Sequence, residues 1–493
     1  MRYLYIGLLF AAGLLQSCEG FLEDEPKYAL TDKNSITDYE KAKAAIGGIY
    51  SRTQTGEWSG DLYVRLASKS GLYKYGDQDY EMSYREQDFK NERIWPNFYN
   101  ALNAANFAIS GIEKLDVAKF PSAEAKDNLI AEARTLRGWI NLNILLNFGH
   151  WWAEDASAYG LVYRDQQSDL SNVQQPRVSV GESYQRIIQD LDFGISHGAV
   201  FKSSRYVSKQ FAQAIKAKLL LYRGAALGDN TMLTESLDLV NSILTQSPSA
   251  FAMEAKLEDV YIKAWDTNES LFSMYLENNG NRTFYAGYVY TKGVVSNGTR
   301  LPLAPGVELT AGLQYGADWY KADPRWPIVT GPVRSGETWD ETKYHTFKKV
   351  CRLGAVAGLQ ATPVDEKYTV YHFRYPELYL MKSELLARTG ASITEALAPI
   401  NQMRAKRVSP VLPALQATSK DELMDLIFKE IVMETFLENG SEFFATLRFQ
   451  KDGKPYIETI KDDVQFQQNR VCYPIPKEEI LANKLIKQNP ELN

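Results

Sequence analysis

Residues 209–230 read KQFAQAIKAKLLLYRGAALGDN, a helical stretch that runs into a glycine turn. A second helix is predicted from Thr231 to Thr245, ending before Pro248. Residues 375–390 read YPELYLMKSELLARTG, and a partner helix from Ile393 to Lys406 ends before Pro410. Because glycine permits a tight turn and proline ends a helix, the order helix, Gly, helix, Pro predicts tetratricopeptide-like units. Any pair of antiparallel helices shows part of this pattern.

The rest of the chain favours an all-α fold of superhelical, tetratricopeptide-like helix pairs. A further helix is predicted from Ser122 to Phe148, with Gly149 as its stop. The chain has 493 residues, of which 45% are hydrophobic and 24% charged, which is typical of an ordered globular protein. Its net charge of −6 leaves no basic surplus for a phosphate backbone, so nucleic acid is not an expected partner.

The N-terminus predicts export and lipidation. Arg2 precedes an apolar run from Tyr3 to Leu15, which is too short to span a bilayer. The run ends in Leu15-Gln16-Ser17-Cys18, which looks like a bacterial lipoprotein processing site. We expect residues 1–17 to be a signal peptide and Cys18 to be acylated, so that only the lipid of the mature protein touches the membrane. Residues 18–26 would form an acidic tether; a plain secretory peptide is the alternative.

Two long stretches lack a sustained helical stripe, at about residues 52–92 and 275–372. Such stretches within a helical protein are more often functional surfaces than connectors. We therefore expect residues 27–493 to form a single helical domain in which these two insertions face a ligand. Cys351 and Cys472 either pair with each other or are two separate buried thiols.

No catalytic or metal-binding constellation is predicted, and no cofactor. Residues 194–198 spell G-x-S-x-G, but the residues before them predict a helix, whereas a nucleophile elbow follows a strand; we expect these residues to be the frayed end of that helix. The four histidines lack the spacing of a zinc site. Glu430, Glu434 and Glu438 share one helical face, and a solvated or capping acidic stripe is expected rather than a pair of catalytic carboxylates.

Aromatic residues in the irregular stretches are the candidate ligand contacts. A tyrosine has an apolar face and a polar tip, which suits a wet binding surface. The alternative is that these aromatic rings pack into the core of the helical body. The predicted ligand-binding residues, expected to form adjacent exposed patches, are Tyr73, Tyr75, Asp77, Asp79, Tyr80, Tyr84, Tyr285, Tyr288 and Tyr290.

Several segments together resemble the RagB/SusD family of nutrient-binding outer-membrane lipoproteins, over nearly the whole chain. They are the lipidation site with Phe21-Leu22-Glu23, the helix segment Ala131 to Arg137, the segment Phe373 to Glu384 with Ile400 to Arg404, and Tyr473-Pro474-Ile475-Pro476 with Gln488-Asn489-Pro490. Trp151 and Trp152 depart from the family, in which this turn usually ends in proline. They are either core residues or an added binding platform, and with Trp319 they are the next place to look for a site.

The resemblance implies a tetratricopeptide-like body, a ligand surface made by loops, and a TonB-dependent, SusC-like outer-membrane transporter as partner. The expected function is non-catalytic capture of oligosaccharides at the cell surface. A peptide-binding member of the same family and a helical carbohydrate-active hydrolase or lyase are the alternatives. The family's ligand contacts lie in variable loops, so none is transferred to this chain.

Overall fold

The computed structural model describes residues 35–54, 58, 60–73, 77–86, 93–263, 266–277, 295–296, 299–300, 317–332, 334–335, 338–339, 345–347, 367–461 and 466–492. Its α-helices are α1 Tyr39–Thr53, α2 Gly60–Ser70, α3 Asp77–Glu81, α4 Ile94–Lys114, α5 Ala123–Phe148, α6 Val180–His197, α7 Lys209–Leu227, α8 Asn230–Gln246, α9 Leu257–Lys263, α10 Ala317–Ala322, α11 Trp326–Val329, α12 Pro376–Arg388, α13 Ile393–Arg404, α14 Lys420–Thr435, α15 Ser441–Arg448, α16 Tyr456–Ile460 and α17 Lys477–Ala482. Its strands are β1 Ser270–Glu277, β2 Val295–Ser296, β3 Thr299–Arg300, β4 Thr330–Pro332, β5 Arg334–Ser335, β6 Thr338–Trp339, β7 His345–Phe347, β8 Lys367–Arg374, β9 Gln450–Lys451 and β10 Lys454–Pro455. The all-α prediction is confirmed.

The two predicted helix pairs are present, with bounds within two residues of those expected. Gly228 ends α7 in the left-handed region, with φ of 66°, and the Asp229 side chain accepts hydrogen bonds from the first amides of α8. Gly390 has φ of 90° between α12 and α13, and Ser392 forms a capping box at the start of α13. Because left-handed backbone is costly for any residue with a Cβ, glycine is what allows both turns.

The helices pack against their neighbours in sequence around one apolar core. Helix α6 packs on α5 and α7, α8 lies against both α7 and α12, and α12 contacts α13 and α14. A buried ion pair joins α5 to α6, with Arg137 Nε and Nη2 each 2.7 Å from a carboxylate oxygen of Asp190. Of the described helices, none is long and apolar enough to cross a membrane.

The chain leaves the helical body and returns to it through a pair of antiparallel strands. Strand β1 pairs with β8 in a register that runs from Ser270 opposite Arg374 to Glu277 opposite Lys367. Most of the predicted insertion at 275–372 lies between the outer ends of these strands and outside the described residues. The strand pair is therefore a two-stranded stem at the base of that insertion.

The expectation of an irregular stretch at 52–92 is wrong for part of it. Helix α2 occupies residues 60–70, and α3 follows at residues 77–81. Leu62, Val64 and Leu66 are buried, and α2 packs against α15. Aromatic and glycine residues on either side of this short helix obscure its apolar face in the sequence.

The acidic residues of α14 and the turn after it are not a solvated stripe, which corrects that expectation. Glu430, Glu434 and Glu438 are at most 4% exposed. Glu430 binds Arg325 at 2.9 Å and also pairs with Arg404. The arginines come from distant parts of the chain, so spacing along one helix did not indicate them.

The G-x-S-x-G motif lies in helix, as its sequence context predicted, but it is not frayed. Helix α6 continues to His197, and Gly198 caps it by donating its backbone N–H to the carbonyl of Gly194. Ser196 is on the exposed surface of this last turn. The strand-turn-helix context that activates a nucleophilic serine is therefore replaced here by continuous helix.

Candidate ligand-binding surface

The side chain of Asp79 in helix α3 forms hydrogen bonds with residues from three segments: α2, the stretch after α3, and the C-terminal region. Its Oδ1 accepts hydrogen bonds from the hydroxyls of Tyr84 at 2.6 Å and Tyr473 at 3.2 Å. Its Oδ2 accepts one from Nε of Arg65 at 3.1 Å. Both carboxylate oxygens of Asp79 therefore accept hydrogen bonds from the protein itself, and in this arrangement Asp79 links these segments.

Two of the predicted tyrosines are buried, which corrects the expectation that they form an exposed patch. Tyr73 is 8% exposed and lies edge-on to Phe436, and burial raises the pKa of Tyr73 to about 12. Tyr84 is fully buried with its ring centroid 5.0 Å from that of Tyr473, and burial raises its pKa well above the usual value. Both rings fold down onto the helical body, because covering it buries more apolar surface than facing solvent.

Of the other predicted site residues, Tyr80 and Asp77 lie in the described part of the chain, and the remaining tyrosines lie outside it. Tyr80 is half-buried, and Nζ of Lys461 lies 5.1 Å from its ring centroid. Asp77 is the first residue of α3. Outside the described residues lie Tyr75, Tyr285, Tyr288 and Tyr290, together with Cys18 and Cys351. Cys472 is a buried free thiol, and burial raises its pKa to about 11.

A cleft of about 200 Å³ opens beside the Trp151–Trp152 turn, at the end of α7 and next to the β9–β10 hairpin. Among its walls are Trp151, Trp152, Phe466, Gln450, Gln468 and Arg448. Trp151 is buried, whereas Trp152 and Phe466 are half-buried and both glutamines are exposed. We call this site the Trp152 cleft.

The Trp152 ring is held from one side by its neighbours. The imidazole of His150 stacks on it with centroids 4.8 Å apart and an interplanar angle of 21°, and Trp151 meets it edge-on at 5.8 Å. Burial, with a smaller effect of Arg177, lowers the pKa of His150 to about 4, so this imidazole is uncharged at neutral pH. The Trp152 ring is therefore fixed by an uncharged imidazole, with the Arg177 guanidinium close enough to that imidazole to affect its pKa.

The turn that carries both tryptophans is fastened to the core. The carbonyl oxygen of Trp151 accepts hydrogen bonds from the Tyr184 hydroxyl at 2.8 Å and from Nη1 of Arg223 at 3.2 Å. The indole Nε1 of Trp151 is buried and has no hydrogen-bond partner among the residues that the structure describes. A buried donor without a partner is uncommon, and it lies in a residue of the cleft wall.

The cleft wall carries one charged side chain among the described residues, Arg448, and its carboxylate partner is shared with a second arginine. Arg448 Nε and Nη2 each bind a carboxylate oxygen of Glu384 at 2.8 Å. The guanidinium carbon of Arg448 also lies 4.6 Å from the ring centroid of Tyr222. Glu384 also accepts a hydrogen bond from Nε of Arg388 at 2.9 Å, so two arginines share one carboxylate, and the Trp152 cleft combines aromatic and amide groups with one arginine.

The sequence indicated the Trp151–Trp152 turn as a candidate site, but it did not indicate the other residues of the Trp152 cleft. The Trp-Trp pair stood out as a departure from the usual proline turn, and the structure divides the pair between the core and a half-exposed position. Gln450, Phe466 and Gln468 carry no motif, and only the fold brings them beside α7. Trp319, the other alternative, is half-buried and stacks on Tyr320 at 5.9 Å. Within the part of the chain that the structure describes, no group of three His, Cys, Asp or Glu residues is placed to hold a metal ion.

Tetratricopeptide-like helix pairs with a long insertion on a two-stranded stem define a class of all-α scaffold proteins. A SusD family model matches residues 278–491, and a model described as "starch-binding associating with outer membrane" matches residues 20–219. This chain belongs to the SusD/RagB family.

Similar proteins include a SusD-like protein of Formosa agariphila, 22% identical over 98% of this chain and 97% of that protein. A SusD superfamily protein of Bacteroides thetaiotaomicron is 19% identical in sequence, and its crystal structure superposes with a TM-score of 0.68 over 92% of this chain and all of the other. A laminarin-binding SusD-like protein is 16% identical, with a TM-score of 0.66 over the same shares. At these identities the structural likeness establishes a shared fold.

Proposed function

We propose that this protein is a non-catalytic lipoprotein of the outer-membrane surface that captures oligosaccharides and delivers them to a TonB-dependent transporter. The observation that carries the proposal is the Trp152 cleft, where a half-exposed indole and two amide side chains lie together. Aromatic faces stack on the apolar faces of sugar rings, and amides bond to hydroxyls. Membership of the SusD/RagB family and the laminarin-binding relative support the same interpretation.

The expected affinity suits capture and release of a polymer. An aromatic ring that covers about 60 Å² of a sugar's apolar face contributes about 1.5 kcal/mol at about 25 cal/mol per Å². Two or three such rings with a few hydrogen bonds give dissociation constants of roughly micromolar to millimolar once binding costs are subtracted. Tyr75, Tyr80, Tyr285, Tyr288 and Tyr290 remain the proposed additional stacking rings.

The lipid anchor and the transporter are further parts of the proposal. Acylation at Cys18 places the protein on the membrane, and the acidic residues that follow it form a tether. The transporter partner is proposed from the family to which the chain belongs. Copurification of a TonB-dependent transporter with the full-length lipoprotein from detergent-solubilised outer membranes tests this part.

Calorimetric titration of the mature chain with laminarin, soluble starch, xylan and mixed peptides, followed by product analysis, tests the function. Saturable binding of a glycan without cleavage is the expected result. Binding of peptides alone places the protein with the peptide-binding members. Glycan cleavage that an Asp or Glu substitution abolishes establishes a hydrolase or lyase instead.

A further inference from the structure

We propose that one face of the protein, formed by residues 165–175 and 481–487, lies against the lipid bilayer that carries the anchor. We call it the Leu170 face. The proposal rests on the proposed acylation of Cys18, because it specifies which side of the anchored protein meets the membrane. It also departs from the expectation that only the lipid touches the membrane.

Three leucines of the Leu170 face are exposed. Leu170 is 98% exposed, Leu481 57% and Leu485 50%. In the part of the chain that the structure describes, these are the leucines with at least half of their surface exposed. Exposed apolar side chains are normal when they are scattered singly, whereas a group of them marks a surface that a partner or a membrane covers.

The two segments that carry these leucines are joined by hydrogen bonds. The backbone N–H of Lys484 donates to Oε1 of Gln174 at 3.0 Å, and the Gln174 amide nitrogen donates to the carbonyl oxygen of Ala482. Nδ2 of Asn483 donates to the carbonyl oxygen of Gln175 at 2.8 Å. The exposed leucines therefore lie on neighbouring parts of one surface.

The charges on this face suit a layer of lipid headgroups. Lys484 and Lys487 are exposed on either side of Leu485, and residues 480–490 contain no Asp or Glu. Lysine side chains can place their ammonium groups among lipid headgroups while neighbouring leucines enter the boundary of the acyl chains. Asp169, in the loop, has its Oδ1 bonded to backbone N–H groups of that same loop.

The chain enters the helical body beside this face. Ile36 packs against Gly111 of α4, since a Cβ on that glycine would lie 2.5 Å from Ile36 Cδ1. The backbone nitrogen of Ser168, in the loop, lies 2.8 Å from Oδ1 of Asn103 on the same helix. On an α-helix, Asn103 and Gly111 are about 12 Å apart along the axis and about 80° apart around it. The tether therefore joins the body close to the loop that carries Leu170.

The length of the tether favours this side of the protein over the opposite one. The seventeen residue steps from Cys18 to Ser35 span at most about 60 Å. A globular body of this size has a radius of gyration of about 23 Å, which corresponds to a diameter of roughly 60 Å. The far side of the body reaches the bilayer only if the tether is fully extended, whereas the Leu170 face reaches it with a much shorter span.

Quenching by labelled lipids tests the proposal. The acylated chain, with Cys351→Ser, carries one NBD fluorophore at Leu170→Cys or at Leu485→Cys. It is reconstituted into vesicles of phosphatidylethanolamine and phosphatidylglycerol in equal parts, with or without lipids that bear a nitroxide quencher. Val411→Cys and Ile262→Cys, at exposed apolar residues outside this face, are the matched controls. We expect quenching and a blue shift of the emission at the two leucine positions and neither at the controls.

Sedimentation of the vesicles separates failure of the proposal from failure of the anchor. If the chain sediments with the vesicles but the labels on the Leu170 face are quenched no more than the controls, the proposal is wrong and the anchor stands. If the chain does not sediment, anchoring by acylation fails and the proposal fails with it. If the emission from the Cys18→Ala chain shifts with protein concentration in the absence of vesicles, a second copy covers the face and the proposal is wrong.

Charge reversal gives a second measurement. A lysine near an anionic lipid surface strengthens binding about fivefold. Combining Lys484→Glu with Lys487→Glu is therefore expected to reduce the quenching at Leu170→Cys, whereas Lys256→Glu, at an exposed lysine before α9, leaves it unchanged. Quenching that the double variant leaves unchanged overturns the contribution of the lysines to the proposed contact.

Discussion

Arg374 and Glu438 form a two-point ion pair in the interior of the protein. Arg374 Nε lies 2.9 Å from Oε2 of Glu438, and Nη2 lies 2.6 Å from Oε1. Arg374 Nη1 also contacts Glu269 at 2.8 Å and Glu434 at 3.1 Å. The pair therefore joins the end of strand β8 to the turn after α14 and to the residue before β1.

Replacing Arg374 by methionine is expected to lower the free energy of unfolding by about 3–5 kcal/mol, because it removes a guanidinium that binds three buried carboxylates, of which Glu269 and Glu434 keep their pairing with Arg407. Urea unfolding followed by circular dichroism measures this. The control is Glu40→Gln, which breaks an exposed pair with Lys43 and should leave stability nearly unchanged. Equal stability of the two variants would contradict the prediction.

Tyr84→Phe is expected to lower the free energy of unfolding by about 1–2 kcal/mol, since it removes a hydrogen bond to Asp79 and leaves that carboxylate with one donor fewer. Glycan affinity should not change, because the Tyr84 ring is buried. Thermal melting and calorimetric titration separate the two effects. Tyr206→Phe, at a tyrosine that is 56% exposed, is the matched control. A loss of glycan affinity at unchanged melting temperature would show that Tyr84 contributes to ligand binding.

Tyr285→Ala and Tyr288→Ala are each expected to weaken glycan binding by about 1–2 kcal/mol, roughly five- to thirtyfold, through the loss of one stacking ring. Stability should change little. Titration with the glycan that the wild-type protein binds, alongside a thermal melt, checks both expectations. Lower melting temperature with unchanged affinity would mean that these rings are part of the core.

Cys18→Ala is expected to release the protein from the membrane fraction, because the variant cannot be acylated. Fractionation of cells and detection of the protein in the membrane and aqueous fractions measures this. Ser17→Ala keeps a small residue before the cysteine and serves as the control. Full retention of the Cys18 variant would contradict the lipoprotein assignment.

The stability of the protein should depend on pH through His372. Burial, with a smaller effect of Lys218, lowers the pKa of His372 to about 3, and its Nδ1 lies 2.7 Å from the Tyr63 hydroxyl. The unfolded chain takes up the proton near pH 6.5 while the folded chain does not, so stability is lost as the pH falls from about 6.5 towards 3.

His372→Asn is therefore expected to reduce the slope of unfolding free energy against pH over that range, by at most about 1.4 kcal/mol per pH unit. Urea unfolding at several pH values measures the slope. His197→Asn, at an exposed histidine, serves as the control. An unchanged slope in the His372 variant would show that another group carries the dependence.

The local elements could be predicted from the sequence, and the long-range contacts could not. The glycines at 228 and 390 and the serine at 122 mark helix ends through backbone geometry and capping, which are local effects, and the structure has helix ends there. Whether Glu434 is buried or exposed could not be predicted, because its partners Arg374 and Arg407 lie in other segments of the chain.

The candidate site shows the same division. Tyr73 and Tyr80 have similar sequence surroundings, yet one is buried and the other half-exposed, because burial depends on which helix faces each ring. The Trp-Trp pair was visible as an unusual dipeptide. Its partners Gln450 and Phe466 were not, because they lie about 300 residues further along the chain.

The β1–β8 stem affects how readily the length and sequence of the insertion can vary during evolution. Its inner end is fixed to the helical body, since Arg374 and Glu269 share buried ionic contacts there. The cost of closing a loop grows only slowly with its length, by about 0.6 kcal/mol for each doubling. Segments of different length and composition can therefore be exchanged between Glu277 and Lys367 at little cost in loop closure, as long as the part that holds Arg325 against buried Glu430 is kept. Chimaeras in which the remaining parts of this segment are exchanged between relatives would test whether it sets selectivity.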